Sequence, residues 1–161
     1  MKPLLAALAV LHISVACSPP ELSHEPKWIE FGIVAEDGSI PMQAGKSYPF
    51  FKPDPAAPGP IRVEQPLLKC RVASAIPSLD RHGKPAVSVE LDERDVAQFG
   101  DFTAANVNRE MVVIVAGQII SKANIGERLP GMGQLHGEFT DEEREWIFKA
   151  LRYGGETAAS R

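Results

Sequence analysis

The clearest pattern of apolar and polar positions runs from Lys84 to Arg152. Pro85-Ala86-Val87-Ser88-Val89-Glu90-Leu91 alternates with a period of two, as expected of a half-buried strand. Asp92 supplies an N-cap oxygen, and Glu93 and Asp95 put negative charge in the first turn of a helix. Val96, Phe99, Thr103 and Val107 follow at helical spacing. Met111-Val112-Val113-Ile114-Val115 is an apolar, β-branched run that Ala116-Gly117 turns back into Gln118-Ile119-Ile120-Ser121, a hairpin. Gly131 to Gly133 reads as a loop and Gln134 to Phe139 as a short extended segment. Thr140 to Glu143 has the form of a capping box. It opens a helix with Trp146, Ile147, Ala150 and Leu151 on its apolar face and Gly154 as its stop.

Upstream the pattern is looser. Trp28 to Val34 is the first strand candidate, and Glu36-Asp37-Gly38-Ser39 is a turn. Tyr48-Pro49-Phe50-Phe51 reads as a short edge strand, where proline is tolerated. Lys52 to Pro60 holds four prolines and cannot be regular. Leu67 to Val72 is a further strand, and Ser78 to Pro85 a turn. The whole predicts an α+β fold, a mostly antiparallel or mixed sheet with two helices packed on one face.

The spaced residues of the C-terminal half carry a likeness. Pro85-Ala86-Val87-Ser88, then Phe99, Thr103 and Asn106, then Gly117, Ile119, Ser121 and Ile125, then Gln134, Gly137, Phe139, Thr140 and Glu143, and finally Leu151-Arg152-Tyr153-Gly154 form an ordered set. In that set the chain resembles the head subdomain of the first periplasmic domain of SecD, a component of bacterial protein export. It departs from the family at Asn108, where glycine is usual, at Ala116, which replaces a common aspartate, and at Lys122-Ala123, which replaces an alanine-proline pair. Asn108 leaves the turn intact, since asparagine also tolerates positive φ. In SecD the head is thought to engage the emerging preprotein, so the resemblance implies contact with polypeptide.

The first residues read as a leader. Lys2 precedes an apolar run from Pro3 to Val15, too short for a permanent membrane span. Ser14 and Ala16 suit cleavage after Ala16, and Cys17 then stands where bacterial lipoproteins carry their acyl (palmitate-type) anchor, although Ser14 departs from the usual leucine. The expected organisation is a lipoprotein signal peptide over 1–16, a tether over 17–27, a SecD-head-like domain over 28–155 and a tail over 156–161. Ser18 after the cysteine points, by likeness to other lipoproteins, to the outer membrane, with the domain on the periplasmic side.

Composition narrows the chemistry. The 161 residues carry a formal net charge of −4, which gives a nucleic-acid partner no support. Cys70, flanked by apolar residues, reads as a small buried hydrophobe; a Cys17–Cys70 disulfide arises only if Cys17 is not acylated. His24, His82 and His136 lack the spacing of a zinc site. Gly131, Gly133 and Gly137 precede a strand and do not open a helix as a phosphate loop would. The acidic groups at 92–95 and 141–143 open helices, which capping explains. No catalytic residue, metal or cofactor is assigned. The expected function is non-enzymatic binding of secreted or unfolded polypeptide, or of an envelope protein. The partner contact is assigned to Phe50, Phe51, Met132 and Leu135, which flank the two loops. The alternatives are an accessory subunit of an unrelated envelope complex and a hydrolase with an unrecognised site.

Overall fold

The computed structural model describes residues 27–35, 45–52 and 59–154. The leader, Cys17, His24, most of the tether, the turn at 36–39, residues 53–58 of the proline loop and the tail lie outside the described residues.

Ten elements follow in chain order: β1 (Lys27–Ile33), β2 (Gly45–Tyr48), β3 (Ile61–Glu64), β4 (Leu68–Leu79), β5 (Pro85–Leu91), α1 (Glu93–Ala105), β6 (Glu110–Val115), β7 (Gln118–Asn124), β8 (Met132–His136) and α2 (Asp141–Tyr153). Six strands form one sheet in the order β7-β6-β1-β4-β5-β8, and every neighbouring pair is antiparallel. β2 and β3 form a separate two-stranded antiparallel sheet. The fold is α+β, as the pattern of elements implies.

Alternation sorts the residues between two faces. One face carries Ile29, Phe31, Ile33, Cys70, Val87, Val89, Met111, Val113 and Val115, and packs against Phe99 of α1 and Ile147 and Leu151 of α2. The opposite face of β6 and β7 carries Val112, Ile114 and Ile119, which pack beneath Tyr48 and Val63 of the β2–β3 pair. Met111 to Val115 are therefore all buried, and a strand covered on both sides has no polar positions to alternate with. Gly32 is the point of close approach: a Cβ there would lie 2.2 Å from the Val63 side chain and 2.7 Å from that of Leu67.

The caps hold as their residues dictate. The Asp92 side chain accepts from the Arg94 N–H. Thr140 and Glu143 make both halves of the capping box, and Gly154 ends α2 at φ 85°. The β6–β7 turn uses Ala116 and Gly117, both at positive φ, the pair of left-handed residues that a tight antiparallel hairpin requires. Asn108 is left-handed too, with φ 67°.

Several boundaries differ from the sequence reading. β4 runs on to Leu79, so the segment from Ser78 to Pro85 is a turn only from Asp80 onward. Pro77 sits inside β4 without breaking it, because it lies beyond the part of β4 that pairs with β1. Val107 lies past the end of α1 and is exposed, so it does not extend the buried stripe. β3 follows directly on the proline loop and gave no separate pattern. Tyr48 ends β2, and Phe50 makes only an isolated parallel bridge to Ile119. Gly131 to Gly133 is not wholly loop, since β8 begins at Met132.

Candidate functional site

The outer face of the sheet is only half covered. The β2–β3 pair packs over β6 and β7; β4, β5 and β8 carry no such cover among the described residues. Residues directly opposite one another share a face, and the pairing sets out three rows across this shelf: Ser74, Glu90 and Met132; Ile76, Ser88 and Gln134; Ser78, Ala86 and His136. Their neighbours in sequence, Ala75, Val87, Val89 and Leu135, turn to the helix side.

The shelf combines exposed apolar groups with a short polar network. Met132 is 66% exposed and Ile76 58%, and they stand in neighbouring rows of one uncovered face. Between them Ser88 Oγ lies 3.0 Å from Ser78 Oγ, and Gln134 Nε2 donates to Ser78 Oγ at 3.1 Å and to the Leu79 carbonyl at 3.0 Å. Trp28, 48% exposed, lies on the same side of β1, paired in register with Arg71, whose guanidinium carbon is 6.0 Å from the indole ring.

Arg71 also ties this region to α1. Its side chain and its backbone N–H donate to the buried Asp95 carboxylate, and the guanidinium holds that carboxyl below its ordinary range. At the far end of the shelf the Asp80 carboxylate accepts from the N–H groups of Lys84 and His82, which lowers its pKa and fixes the β4–β5 turn. Cys70 is a buried free thiol, pushed up to about 11 by burial. That thiol is a poor nucleophile at neutral pH and fits the packing role that its flanks imply. Among the described residues no group of His, Cys, Asp and Glu is arranged to hold a metal ion.

The four residues assigned to partner contact are not brought together. Phe51 is half-buried, stacked on Trp146 with ring centroids 4.7 Å apart. Phe50 is half-buried against the cluster beneath β2–β3. Leu135 is 8% exposed and belongs to the main core. Met132 alone stands free on the surface, beside Gln134 and across Glu90 from Ser74. Sequence reasoning passed over Ile76 and Trp28. Each looks like an ordinary apolar strand position, and only the missing cover distinguishes them.

The architecture and the residue pattern meet in one comparison. The family profile described as SecDF, P1 head subdomain, matches residues 50–155. This chain belongs to the SecDF P1 head subdomain family. The head subdomain here is 30% identical over 81 residues to protein translocase subunit SecD of Aquifex aeolicus, a match covering 50% of this chain and 16% of that protein. Against the SecD of Dictyoglomus turgidum it is 34% identical over 76 residues, covering 47% of this chain and 19% of that protein. The match thus spans less than a fifth of either SecD. Among solved structures, one titled as the structure and function of a membrane component SecDF that enhances protein export aligns over 81% of this chain and 64% of its own, with TM-score 0.57 and 19% identity. A crystal structure of SecDF in the super-membrane-facing form aligns over 80% of this chain and 19% of its own, with TM-score 0.58 and 20% identity. These two likenesses are of fold. No helix among the described residues of the head subdomain is long and apolar enough to cross a membrane.

Proposed function

We propose that this SecD-head-like domain is a non-enzymatic binding module of the bacterial cell envelope that holds secreted or unfolded polypeptide on the periplasmic side of a membrane. The observation that carries this reading is the uncovered shelf of β4, β5 and β8 in a head subdomain related to protein export. Exposed Met132 supplies adaptable apolar contact and Ile76 a stiffer one, and Ser78, Ser88 and Gln134 supply hydrogen-bonding groups. An unfolded chain offers the same mixture of apolar side chains and backbone polar groups. The shelf supports relocating the contact from Phe50, Phe51 and Leu135, which packing engages, to Met132, Ile76 and Trp28.

A photo-crosslinking residue in place of Glu90, beside Met132 on the shelf and left intact in the variants below, tests the reading in intact envelopes. Many extended substrates should be captured, and Ile76→Ser with Met132→Ser should weaken capture without lowering the melting temperature. Capture of one stoichiometric envelope protein would instead favour an accessory subunit of another complex. Turnover of a substrate that one polar substitution abolishes would favour a hydrolase.

The membrane attachment proposed is acylation at Cys17, supported by the small residues Ser14 and Ala16 before it. Cys17→Ser should move the protein from the membrane fraction to the soluble periplasm or leave an uncleaved precursor. Mass spectrometry of the wild type checks the premise, and absence of lipid would remove the anchor. The outer membrane is the proposed destination.

A further inference from the structure

Among the described residues the outer side of β7, the far half of β4 and β8 lack a sheet neighbour, and the first two are blunted. At β7, Phe51 N–H donates to the Ile119 carbonyl at 2.9 Å and Ile119 N–H donates to the Pro49 carbonyl at 2.9 Å, so the chain at 49–51 occupies that edge. Further along, β7 carries Lys122, ion-paired with Glu110 at 3.1 Å. The far half of β4, past its pairing with β1, carries Pro77. Charged side chains, proline and cover are the devices by which natural sheets stop further strand addition.

Among the described residues β8 carries no proline or charge of this kind, and no strand pairs with its outer side, although β7 comes near it. Its sequence, Met-Gly-Gln-Leu-His, holds no proline and no lysine, arginine or acidic residue. The phase of its hydrogen bonds follows from one contact: Leu91 N–H donates to the Gly131 carbonyl at 2.7 Å. In an antiparallel ladder, hydrogen-bonded pairs alternate with non-bonded ones. The register then makes Val89↔Gly133 and Val87↔Leu135 the bonded pairs. Met132, Gln134 and His136 therefore direct their N–H and C=O groups away from β5, along the free edge. Beside that row, on the helix side, a Cβ built at Gly133 would meet nothing within 4 Å. On the outer side stands the exposed Met132 side chain.

We propose that β8 accepts an extended polypeptide segment as an added strand, its backbone paired with Met132, Gln134 and His136 and its alternate side chains divided between the space over Gly133 and the side of Met132. This deepens, and rests on, the polypeptide-binding reading above. Backbone pairing suits a binder of many sequences, because every non-proline residue offers the same donor and acceptor. The size of the edge selects an extended segment over a folded partner. Five residues span only about 17 Å, room for an extended segment but far from the roughly 20–30 residues a side that a stable folded interface uses.

The test uses the full chain and two probes: reduced, carboxymethylated lactalbumin as an unfolded polypeptide, and a short fluorescent peptide of alternating threonine and valine. A second version of the peptide is N-methylated at every residue, so that neither of its edges can donate a backbone hydrogen bond. The methylated peptide should bind roughly tenfold or more weakly to the wild type, the effect of losing two or so backbone hydrogen bonds. Gln134→Pro removes an outward N–H and leaves the bonds to β5 in place, so it should weaken the unmethylated peptide and the lactalbumin alike, and more than Gln134→Ala, which removes only the side chain, with circular dichroism reporting the fold. The peptide comparison on wild type needs no variant. If lactalbumin binds but neither methylation nor Gln134→Pro matters, the edge proposal is overturned and the polypeptide-binding reading stands. If methylation matters and a folded Gln134→Pro does not, another edge is used and β8 is excluded. If neither probe binds, both readings fall. A dimer that Gln134→Pro converts to monomer would show a second copy on the edge and overturn the proposal.

Discussion

Asp95 shows how one residue's surroundings set its chemistry. It stands in the first turn of α1, where acidic residues are expected for the helix dipole alone. The fold adds the Arg71 guanidinium and the Arg71 N–H, and buries the carboxylate between them. Because the folded value is depressed, the native state binds this proton less readily than the unfolded chain does. The stability it contributes is then full above the ordinary value near 3.8 and drains away as pH falls through the lower folded value. Asp95→Asn should cost roughly 3 kcal/mol at neutral pH, the low end for breaking a buried pair, since the Arg71 side chain keeps 25% exposure. The variant should also lose less stability than the wild type between about pH 5 and pH 2. Denaturant melts across that range check both. Parallel acid profiles for the two proteins would mean that the carboxyl is not held down. That an acidic residue opens a helix was legible in the sequence; its partner 24 positions upstream was not, because only pairing of β4 with β5 brings Arg71 to that turn.

At the scale of the element, α2 has an interior face and a solvated one, and its start is chemically defined. Ile147 is fully buried, Asp141 is exposed, and Thr140 caps the helix through its hydroxyl. Ile147→Ala should cost about 2–5 kcal/mol, Thr140→Ala about 0.5–2 kcal/mol, and Asp141→Ala less than about 1 kcal/mol. Chemical denaturation of the three variants checks the order; equal losses would mean a misassigned face. This face was readable because an amphipathic period of 3.6 needs no knowledge of the partner. The strands were less evenly readable. Alternation marked β5, but β3 is four residues long and follows a proline-rich loop, too short for a period to register. β4 outran its expected end because Pro77 looks like a stop when read locally, although its missing donor matters only inside a ladder.

Across the whole molecule, the decisive feature is the unequal cover of the outer face. Val63 sits over Gly32, so the β2–β3 pair is seated where β1 lacks a side chain. Gly32→Ala should push the β2–β3 pair off the sheet, uncover Val112 and Ile114, and destabilise the fold by about 1–3 kcal/mol, the usual range for overpacking. Faster hydrogen exchange at Lys46 to Tyr48 and Arg62 to Glu64 should accompany the loss. An unchanged exchange pattern would mean that this contact does not hold the cover down. The other half of the same face, with Ile76 and Met132, has no such lid among the described residues and is the surface proposed for polypeptide.

Much of this protein was determined by its sequence: the α+β class, both helices with their N-caps, the β6–β7 hairpin, and the ordered residues that place it with the SecD head. Those features are local, fixed by side-chain period, capping chemistry and backbone propensity within a few positions of each residue. Burial across the sheet is not local. Phe51 stacks on a helix 95 residues later in the chain, Leu135 turns into the core, and Met132, three positions before it, is left in water. All three read alike as apolar residues beside loops. Only tertiary structure separates them, because exposure depends on what packs above a strand, and that is supplied by elements distant in sequence.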